Sequence, residues 1–294
     1  MQRYYRPSGN FSPGAIIVVP AVVAAISLLL AVPYGYLSWY NPVKFLGVAL
    51  TVIFAVAVCL AGGFLSFKLA PVRNPPLAAL LGVIGVIPGL LLHALIWMDL
   101  FRNRTGEIGS LGPENLRLIW QNSHLVPADL LDYFLNYKLA SRFLLDIINY
   151  GVWDIFGLPL KGLPYEMIWI LEFLLVIVAV AWHFYKKACW PFCEDQGIFL
   201  EKISFPQFLR TPPDMDRLLD SFAQGEYGYV MIADIEPDPK YNHLKIELYY
   251  LEERHDAYLT VWLVKKSIKK TETTKVVDAI GIPEIQAEQL IKKL

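Results

Sequence analysis

Two cysteines near the middle of the chain have the spacing of half a metal site. Cys189 and Cys193 have three residues between them in "CWPFC". Structural zinc sites usually combine two cysteines that have two to four residues between them with a second such pair. The second pair is missing, because His243 and His255 are the only imidazoles that follow. The sequence therefore predicts two thiols without a structural metal, and no cofactor.

An acidic turn further on has the start of a calcium-loop pattern but not its remainder. Asp234, Glu236 and Asp238 alternate as the first ligands of such a loop do, yet Pro239 and Lys245 occupy the glycine and bidentate glutamate positions. The chain also contains no H-E-x-x-H, G-x-S-x-G, P-loop or G-x-G-x-x-G motif. The sequence does not indicate an enzyme of a recognisable class.

A few ionisable residues lie inside apolar segments, where a charge is costly unless it is paired. They are His93, Glu172 and, close to a segment end, His183. Placed on membrane-spanning helices, His93 and Glu172 both fall about 7–8 Å below the outer interface. The third and fourth spans are therefore predicted to be neighbours, with Glu172 meeting His93 or a water-filled pocket. The alternative is that Glu172 extends toward the outer interface.

The elements that position these residues follow from an unusually apolar composition. Of 294 residues, 55% are hydrophobic, and the mean hydropathy is +0.42, more apolar than a soluble globular protein. About 20 apolar residues in helical form span a bilayer. Four segments of that length predict spans at about residues 14–36, 45–67, 77–98 and 167–185.

Aromatic residues cluster at the ends of these segments, as they do at membrane–water interfaces. The predicted interfacial residues are Tyr34, Tyr36, Trp39, Tyr40, Trp97, Trp169 and Trp182.

Three glycines give the third span a face on which another helix can approach closely. Gly85 and Gly89 form a G-x-x-x-G pattern, and Gly82 precedes them. Small residues at this spacing favour tight helix contact within a bilayer. Helix packing is their predicted role.

Basic residues predict the orientation, because cytoplasmic loops are enriched in Lys and Arg. Six basic residues lie on one side if both termini are cytoplasmic: Arg3, Arg6, Lys68, Arg73, Lys186 and Lys187. The chain is thus predicted to be a multi-pass protein of the cell membrane, with residues 99–166 outside. "LLDYFLNYKLASRFLLDIINYGVWDIFG" predicts one or two helices there, beginning near Pro127 and ending near Gly151. They form either a structural cap or a functional lid.

Residues 188–294 hold more than half of the 53 Lys, Arg, Asp and Glu residues, which indicates a soluble domain. Short segments rich in β-branched and aromatic residues predict strands in "GIFLEKI", "EYGYVMIAD", "HLKIELYYLEE" and "DAYLTVWLVKK". Helices are predicted in "PPDMDRLLDSFAQG" and after Pro283. The predicted fold is an α-helical bundle of four transmembrane helices in domain 1–187, with an outside helical loop, and a cytoplasmic α+β domain with a small antiparallel sheet in 188–294.

Charge and motifs together limit the function classes. A net charge of −1 without a basic face excludes nucleic acid as a partner. The first hypothesis is a membrane-anchored interaction or regulatory protein, whose partners are the lipid bilayer and either another protein or a second copy. One alternative is a subunit of an oligomeric transporter or channel. The other is an intramembrane enzyme without a recognisable motif.

Overall fold

The structure is a computed structural model, and it describes residues 4–40, 45–103, 134–150, 153–155, 158–193, 197–224, 226–236, 240–250, 257–266 and 270–293. The chain forms two compact units. One is Gly9–Ala188, and the other is Cys189–Leu294 together with the described part of Met1–Ser8. We call the first the membrane unit and the second the soluble unit, after the domains that the sequence predicts there.

Within its described residues, the first unit contains four helices long and apolar enough to cross a membrane, as hydropathy predicted. Its helices are α1 (Ala15–Trp39), α2 (Phe45–Ala57), α3 (Gly63–Leu69), α4 (Pro75–Asn103), α5 (Tyr137–Tyr150) and α6 (Leu163–Ala188). A π-helical turn, Val58–Gly62, joins α2 and α3 into one span. The spans begin and end within a few residues of the predicted limits.

Helix α1 packs along α4 through small side chains spaced four residues apart. Its buried stripe includes Ala15, Val19, Val23, Ser27 and Ala31, and residues at this spacing lie on one helix face. The stripe follows one side of α4, so α1 and α4 form the central pair of the bundle.

The segment before α1 pairs with the segment between α3 and α4. The amide of Arg73 donates to the carbonyl of Asn10 at 2.9 Å, and Phe11 forms an isolated β-bridge with Val72. The start of the first span and the end of the second therefore lie at the same end of the bundle.

The segment between α4 and α6 contains one described helix, α5. Ile147 and Ile148 are buried in a cluster that also holds Trp97, Leu100 and Tyr165, so one face of α5 packs on the bundle. The pair β1 (Trp153–Ile155) and β2 (Leu158–Leu160) follows as an antiparallel hairpin, which the sequence did not predict. The predicted helix start at Pro127 and end at Gly151 lie outside the described residues.

The second unit is an α+β domain built on one antiparallel sheet. Its strands are β3 (Phe192–Cys193), β4 (Ile198–Phe199), β5 (Glu201–Ser204), β6 (Phe208–Arg210), β7 (Ile235–Glu236), β8 (His243–Tyr250), β9 (Ala257–Lys266) and β10 (Thr271–Ile282). Its helices are α7 (Met215–Gln224), α8 (Gly228–Ile232) and α9 (Glu284–Lys293). The main sheet has the order β10-β9-β8-β6-β7, with β5 also paired to β8, and β3 pairs with β4.

The prediction of a strand in "EYGYVMIAD" was wrong, because Gly228–Ile232 form the short helix α8. The ammonium group of Lys293 in α9 donates to the carbonyls of Val230 and Ala233, at 3.3 and 2.6 Å. A positive donor at the carboxyl end of a helix satisfies carbonyl groups that lack an internal partner. The contact with Lys293, 60 residues after Ala233, thus stabilises a helix in a segment whose composition favours a strand.

Strand β10 was not predicted, because β-bulges break its alternation. Its register against β9 shifts between Lys275 and Val277 and again between Val277 and Ile280. Ala279 adopts a φ of 47°, a left-handed conformation that is rare for alanine. Its amide donates to the buried hydroxyl of Thr260 at 2.9 Å, which holds the bulge in place.

The bulge in β10 is also where the N-terminal segment joins the sheet. The amide of Tyr5 donates to the carbonyl of Ala279 at 2.8 Å, and Tyr4 forms a β-bridge with Ile280. The rings of Tyr5 and Tyr258 meet edge to face, with centroids 5.4 Å apart. Residues 4–8, predicted to belong to the membrane domain, thus belong to the soluble unit.

Candidate functional site

A cluster of polar and aromatic side chains lies inside the bundle, among α1, α2, α4 and α6. Its polar core consists of Ser38, Thr51, His93 and Glu172, each on a different helix. We call it the His93 cluster, and it comprises Tyr34, Ser38, Thr51, His93, Trp97, Trp169, Glu172 and Phe173. Polar groups in an apolar bundle are costly unless they find partners, so this concentration marks the candidate functional site.

His93 is enclosed by aromatic rings. Its exposed fraction is 2%, and its ring stacks on Tyr34 with centroids 4.3 Å apart and planes 19° apart. Trp97, Trp169 and Phe173 contribute ring centroids 6.0, 6.4 and 6.2 Å away. The imidazole therefore packs between α1 and α6, and the surrounding rings bury it inside the bundle.

Ser38 connects α1 to both His93 and Trp97 of α4. The Ser38 hydroxyl donates to the carbonyl of Gly35 at 2.9 Å and accepts from Trp97 Nε1 at 2.8 Å. Its oxygen also lies 3.2 Å from His93 Nε2. A serine hydroxyl has one hydrogen and two lone pairs, so all three contacts are satisfied together when Nε2 carries a hydrogen and donates. Nδ1 is then an acceptor, and it has no hydrogen-bond partner among the described residues.

We expect Ser38→Ala to destabilise the membrane unit by roughly 1–2 kcal/mol, because it leaves two buried donors, Trp97 Nε1 and His93 Nε2, without an acceptor. Thermal unfolding of the detergent-purified protein measures the loss. Ser141→Ala in α5 is the matched control, since that hydroxyl is exposed and donates only to the Lys138 carbonyl. Equal stability of the Ser38→Ala and Ser141→Ala proteins would contradict the assigned bonds.

Glu172 lies on α6, one residue before Phe173, whose ring centroid is 6.2 Å from that of His93. A further polar contact of the cluster joins α1 to α2 through the Thr51 hydroxyl. That hydroxyl is fully buried, lies 2.8 Å from the Tyr34 hydroxyl and donates to the carbonyl of Gly47 at 3.0 Å. Tyr34 and Thr51 thus form a hydrogen-bonded pair that joins α1 to α2.

The predicted partners His93 and Glu172 lie in the same cluster but not in direct hydrogen-bond contact. The His93 nitrogens are accounted for by Ser38 and by the unpartnered Nδ1. Tyr34 stacks on His93 through its ring and bonds to Thr51 through its hydroxyl. A functional pairing of His93 with Glu172 stays a prediction.

The three glycines of α4 lie where neighbouring helices come closest. A Cβ on Gly85 would lie 2.5 Å from the Val23 Cβ and 2.9 Å from the Pro20 carbonyl oxygen, and one on Gly89 would lie 2.7 Å from the Ser27 carbonyl oxygen. Each of these distances is shorter than the sum of the van der Waals radii of the two atoms. Gly82, one turn earlier on the same face, meets α6 instead, with the Phe184 ring 2.8 Å from such a Cβ. The glycines hold α4 against both α1 and α6, which brings His93 to its neighbours.

Five of the predicted interfacial aromatics are buried within the unit. Tyr34, Trp39, Tyr40, Trp97 and Trp169 are each 8% exposed or less, and all but Tyr34 belong to the core cluster that also holds Ile147 and Ile148 of α5. Trp182 is 62% exposed, and the Lys186 ammonium lies 4.5 Å from its ring centroid, an arrangement suited to an interface.

The cysteine pair lies in the soluble unit. Cys193 is 1% exposed and packs against Leu200 and Tyr249. Within the described ranges, no three His, Cys, Asp or Glu side chains are grouped so that they could hold a metal ion. In the acidic turn, Glu236 pairs with Arg210 at 3.5 Å, and Asp238 lies outside the described residues.

No protein-family model, no curated protein and no solved structure matches the chain.

The His93 cluster combines an acid, an imidazole and three hydroxyl groups in a site shielded by aromatic rings. Such groups can bind, hold or pass a proton. Sequence reasoning identified His93 and Glu172 from their charge but missed Ser38 and Thr51, because single hydroxyls in an apolar helix give no pattern. The Tyr34 hydroxyl was missed because tyrosine near a span end usually faces the interface.

Proposed function

We propose that this chain is a membrane-anchored interaction or regulatory protein that holds an α+β domain at the cytoplasmic face of the cell membrane. The observation that carries the proposal is the pairing of Tyr4 and Tyr5 with β10. Because this segment precedes α1, the soluble unit is joined to the membrane unit by two chain connections, one before α1 and one after α6. Two attachments restrict the orientation of a domain far more than a single flexible tether.

The same pairing supports placing both termini on one side of the membrane. Tyr5 and Ala279 share a hydrogen bond within one compact unit, so the chain must cross an even number of times between them. Four spans meet this condition. The basic residues that flank the spans favour the cytoplasm as that side.

Cysteine labelling of intact cells tests the orientation. In a Cys189→Ser background, K138C in α5 is expected to react with an impermeant maleimide, whereas K270C is expected to react only after lysis. Both native lysines are exposed, so access to the reagent decides the outcome. Labelling of K270C without lysis would reject the cytoplasmic assignment.

We expect Tyr5→Ala to loosen the soluble unit at its last strand. The substitution removes the ring that packs on Tyr258, so the N-terminal segment loses side-chain support for its backbone bond to β10. Amide hydrogen exchange of the full-length protein should show β10 exchanging roughly tenfold faster, equivalent to about 1.4 kcal/mol. Tyr4→Ala is the matched control, because Tyr4 is 44% exposed. If the β10 amides of Tyr5→Ala exchanged at the wild-type rate, the pairing of the N-terminal segment with β10 would contribute nothing to the stability of the soluble unit.

The His93 cluster supports a second candidate, a subunit of an oligomeric transporter or channel. Polar residues that face a bundle interior mark solute or ion pathways in many membrane proteins. Two measurements separate the candidates. A photoreactive residue at Tyr241, which is 65% exposed, is expected to cross-link a protein partner or a second copy in native membranes. Saturable solute flux in proteoliposomes, without such a cross-link, would favour the transporter.

A further inference from the structure

Helices α3 and α6 contact each other near the end of the bundle where both finish. A Cβ built on Gly63 of α3 would lie 2.6 Å from His183 Nε2 of α6. Further along, the rings of Phe67 and Phe184 have centroids 5.5 Å apart. The contacts advance toward higher residue numbers on both helices, so α3 and α6 run in the same direction. Two packed helices leave a groove on each side of their line of contact.

Two large aromatic side chains flank one of these grooves. Phe64 follows Gly63, and Trp182 precedes His183. On two helices that run in the same direction, one residue forward on the first and one residue back on the second face the same side of the contact, because both turn with the same hand. Both rings point away from the bundle, since Phe64 is 64% exposed and Trp182 is 62% exposed. In a membrane this groove is therefore open to lipid.

An ammonium group lies beside each ring, one helical turn nearer the end of the bundle. Lys68 Nζ is 5.9 Å from the centroid of the Phe64 ring, and Lys186 Nζ is 4.5 Å from that of the Trp182 ring. Counted from the contact between the helices, Lys68 is five residues along and Lys186 is three. At about 1.5 Å per residue their levels differ by only about 3 Å. The two ammonium groups thus lie at one depth on one side of the groove.

These positive charges have no carboxylate near them along either helix. The sequence contains no Asp or Glu in residues 1–98 or 173–193. Both lysines are exposed, and neither forms an ion pair within the part of the chain that the structure describes. A contact with a ring face leaves the ammonium hydrogens available to an acceptor. The groove therefore favours an anion with several acceptor oxygens.

Aliphatic side chains continue the groove toward the middle of the bundle. Leu60 and Val178 lie four residues before the two aromatic residues, and each is 62% exposed. Residues at this spacing share a helix face. From the end of the bundle inward, the groove therefore presents positive charge, then aromatic rings, then aliphatic side chains. A molecule with a phosphate at one end and an acyl chain at the other has the matching order.

We propose that the groove between α3 and α6 binds an anionic phospholipid, with its phosphate between Lys68 and Lys186 and an acyl chain along Phe64 and Trp182. The ligand comes from the bilayer, because the apolar part of the groove faces lipid. This site goes beyond anchoring, since an anchor needs no preference among lipids. It rests on the membrane placement of the four helices in the proposed function, and not on the role of the soluble unit.

Native mass spectrometry of the full-length protein in detergent, titrated with phosphatidylglycerol or with phosphatidylcholine, tests the assignment. We expect the wild type to retain phosphatidylglycerol in preference to phosphatidylcholine. Lys68→Gln combined with Lys186→Gln should weaken phosphatidylglycerol binding at least roughly tenfold, because each Lys beside an anionic headgroup adds to the attraction. The matched control is Lys138→Gln combined with Lys161→Gln, which removes two exposed lysines outside the groove. Equal affinities of the two double variants, or equal retention of the two lipids by the wild type, would overturn the proposal.

Further variants separate a lost contact from a folding defect. Lys68→Arg combined with Lys186→Arg keeps both charges and should bind phosphatidylglycerol nearly as tightly as the wild type. Trp182→Ala should weaken binding several-fold, whereas Trp182→Phe should largely retain it. Excess glycerol 3-phosphate should not displace the lipid, since it lacks the acyl chain; displacement would reject a lipid site in favour of a free phosphate. None of these results alters the labelling of K138C and K270C, which tests the orientation separately.

Discussion

Replacement of Gly89 by alanine is expected to destabilise the membrane unit by about 3 kcal/mol, the upper end of the usual cost of overpacking. The added Cβ would lie 2.6 Å from the Ser27 Cβ, 2.7 Å from the Ser27 carbonyl oxygen and 2.8 Å from its carbon. Two of these three atoms are backbone, so no rotamer change can relieve the contact. Helices α1 and α4 would have to separate, which would also open the stack of Tyr34 on His93.

Thermal unfolding of the purified protein in detergent measures this effect, with Gly14→Ala as the matched control. No atom outside its neighbours lies within 4 Å of a Cβ built on Gly14, so the same chemical change there should alter the stability by no more than about 0.5 kcal/mol. If Gly89→Ala and Gly14→Ala unfolded at the same temperature, the close approach of α1 and α4 would be refuted.

Glu247→Gln is expected to destabilise the soluble unit by roughly 2 kcal/mol at pH 7. Glu247 lies in the central strand β8, is 5% exposed and binds Lys202 at 2.8 Å and Lys245 at 3.3 Å. Glutamine keeps the shape of the side chain but removes the charge that both ammonium groups face. The two lysine side chains are 30% and 39% exposed, so solvent screens them and limits the loss.

The effect of Glu247→Gln should depend on pH. Burial alone would raise the pKa of Glu247, but the hydrogen bonds and charge of Lys202, with Lys245, outweigh it and lower the pKa. The carboxylate therefore contributes its full stabilisation above the pKa of an unfolded glutamate, about 4.3. That contribution is lost as the pH falls through the lower folded pKa. The gap between wild type and Glu247→Gln should accordingly close in acid.

Hydrogen exchange of the β8 and β9 amides measures the stability of the soluble unit in the full-length protein. Glu272→Gln is the control, because its 2.9 Å pair with Lys270 is exposed on both sides, and such pairs contribute little. A difference between wild type and Glu247→Gln that stayed constant from neutral to acidic pH would refute the role of the Glu247 charge.

The sequence by itself determined the division of the chain into apolar and polar parts. A bilayer requires about 20 apolar residues per helix. Three charge-free segments and a fourth with the single acid Glu172 have that length, so four candidate spans follow from composition alone. Strands β8 and β9 were predicted for a similar reason, since their β-rich residues pack on a sheet wherever it forms. In the third span, Gly82, Gly85 and Gly89 marked the face on which other helices pack.

The composition of the His93 cluster was decided only by the tertiary structure. Hydropathy gives the depth of a residue along a helix but not the direction that it faces, so it placed His93 and Glu172 at one level without showing that Tyr34 stacks on His93. The directions are set by contacts between distant residues, such as Gly85 with Pro20. The Ser38 and Thr51 hydroxyls found their partners through the same packing.

Long-range contacts also decided the details of the soluble unit. Lys293 satisfies the carboxyl end of α8, and the bulge at Ala279 joins β10 to the N-terminal segment across the length of the chain. Local propensity cannot encode such pairings, because the free energy of a β-bridge or a capped carbonyl depends on a partner that the local sequence does not contain.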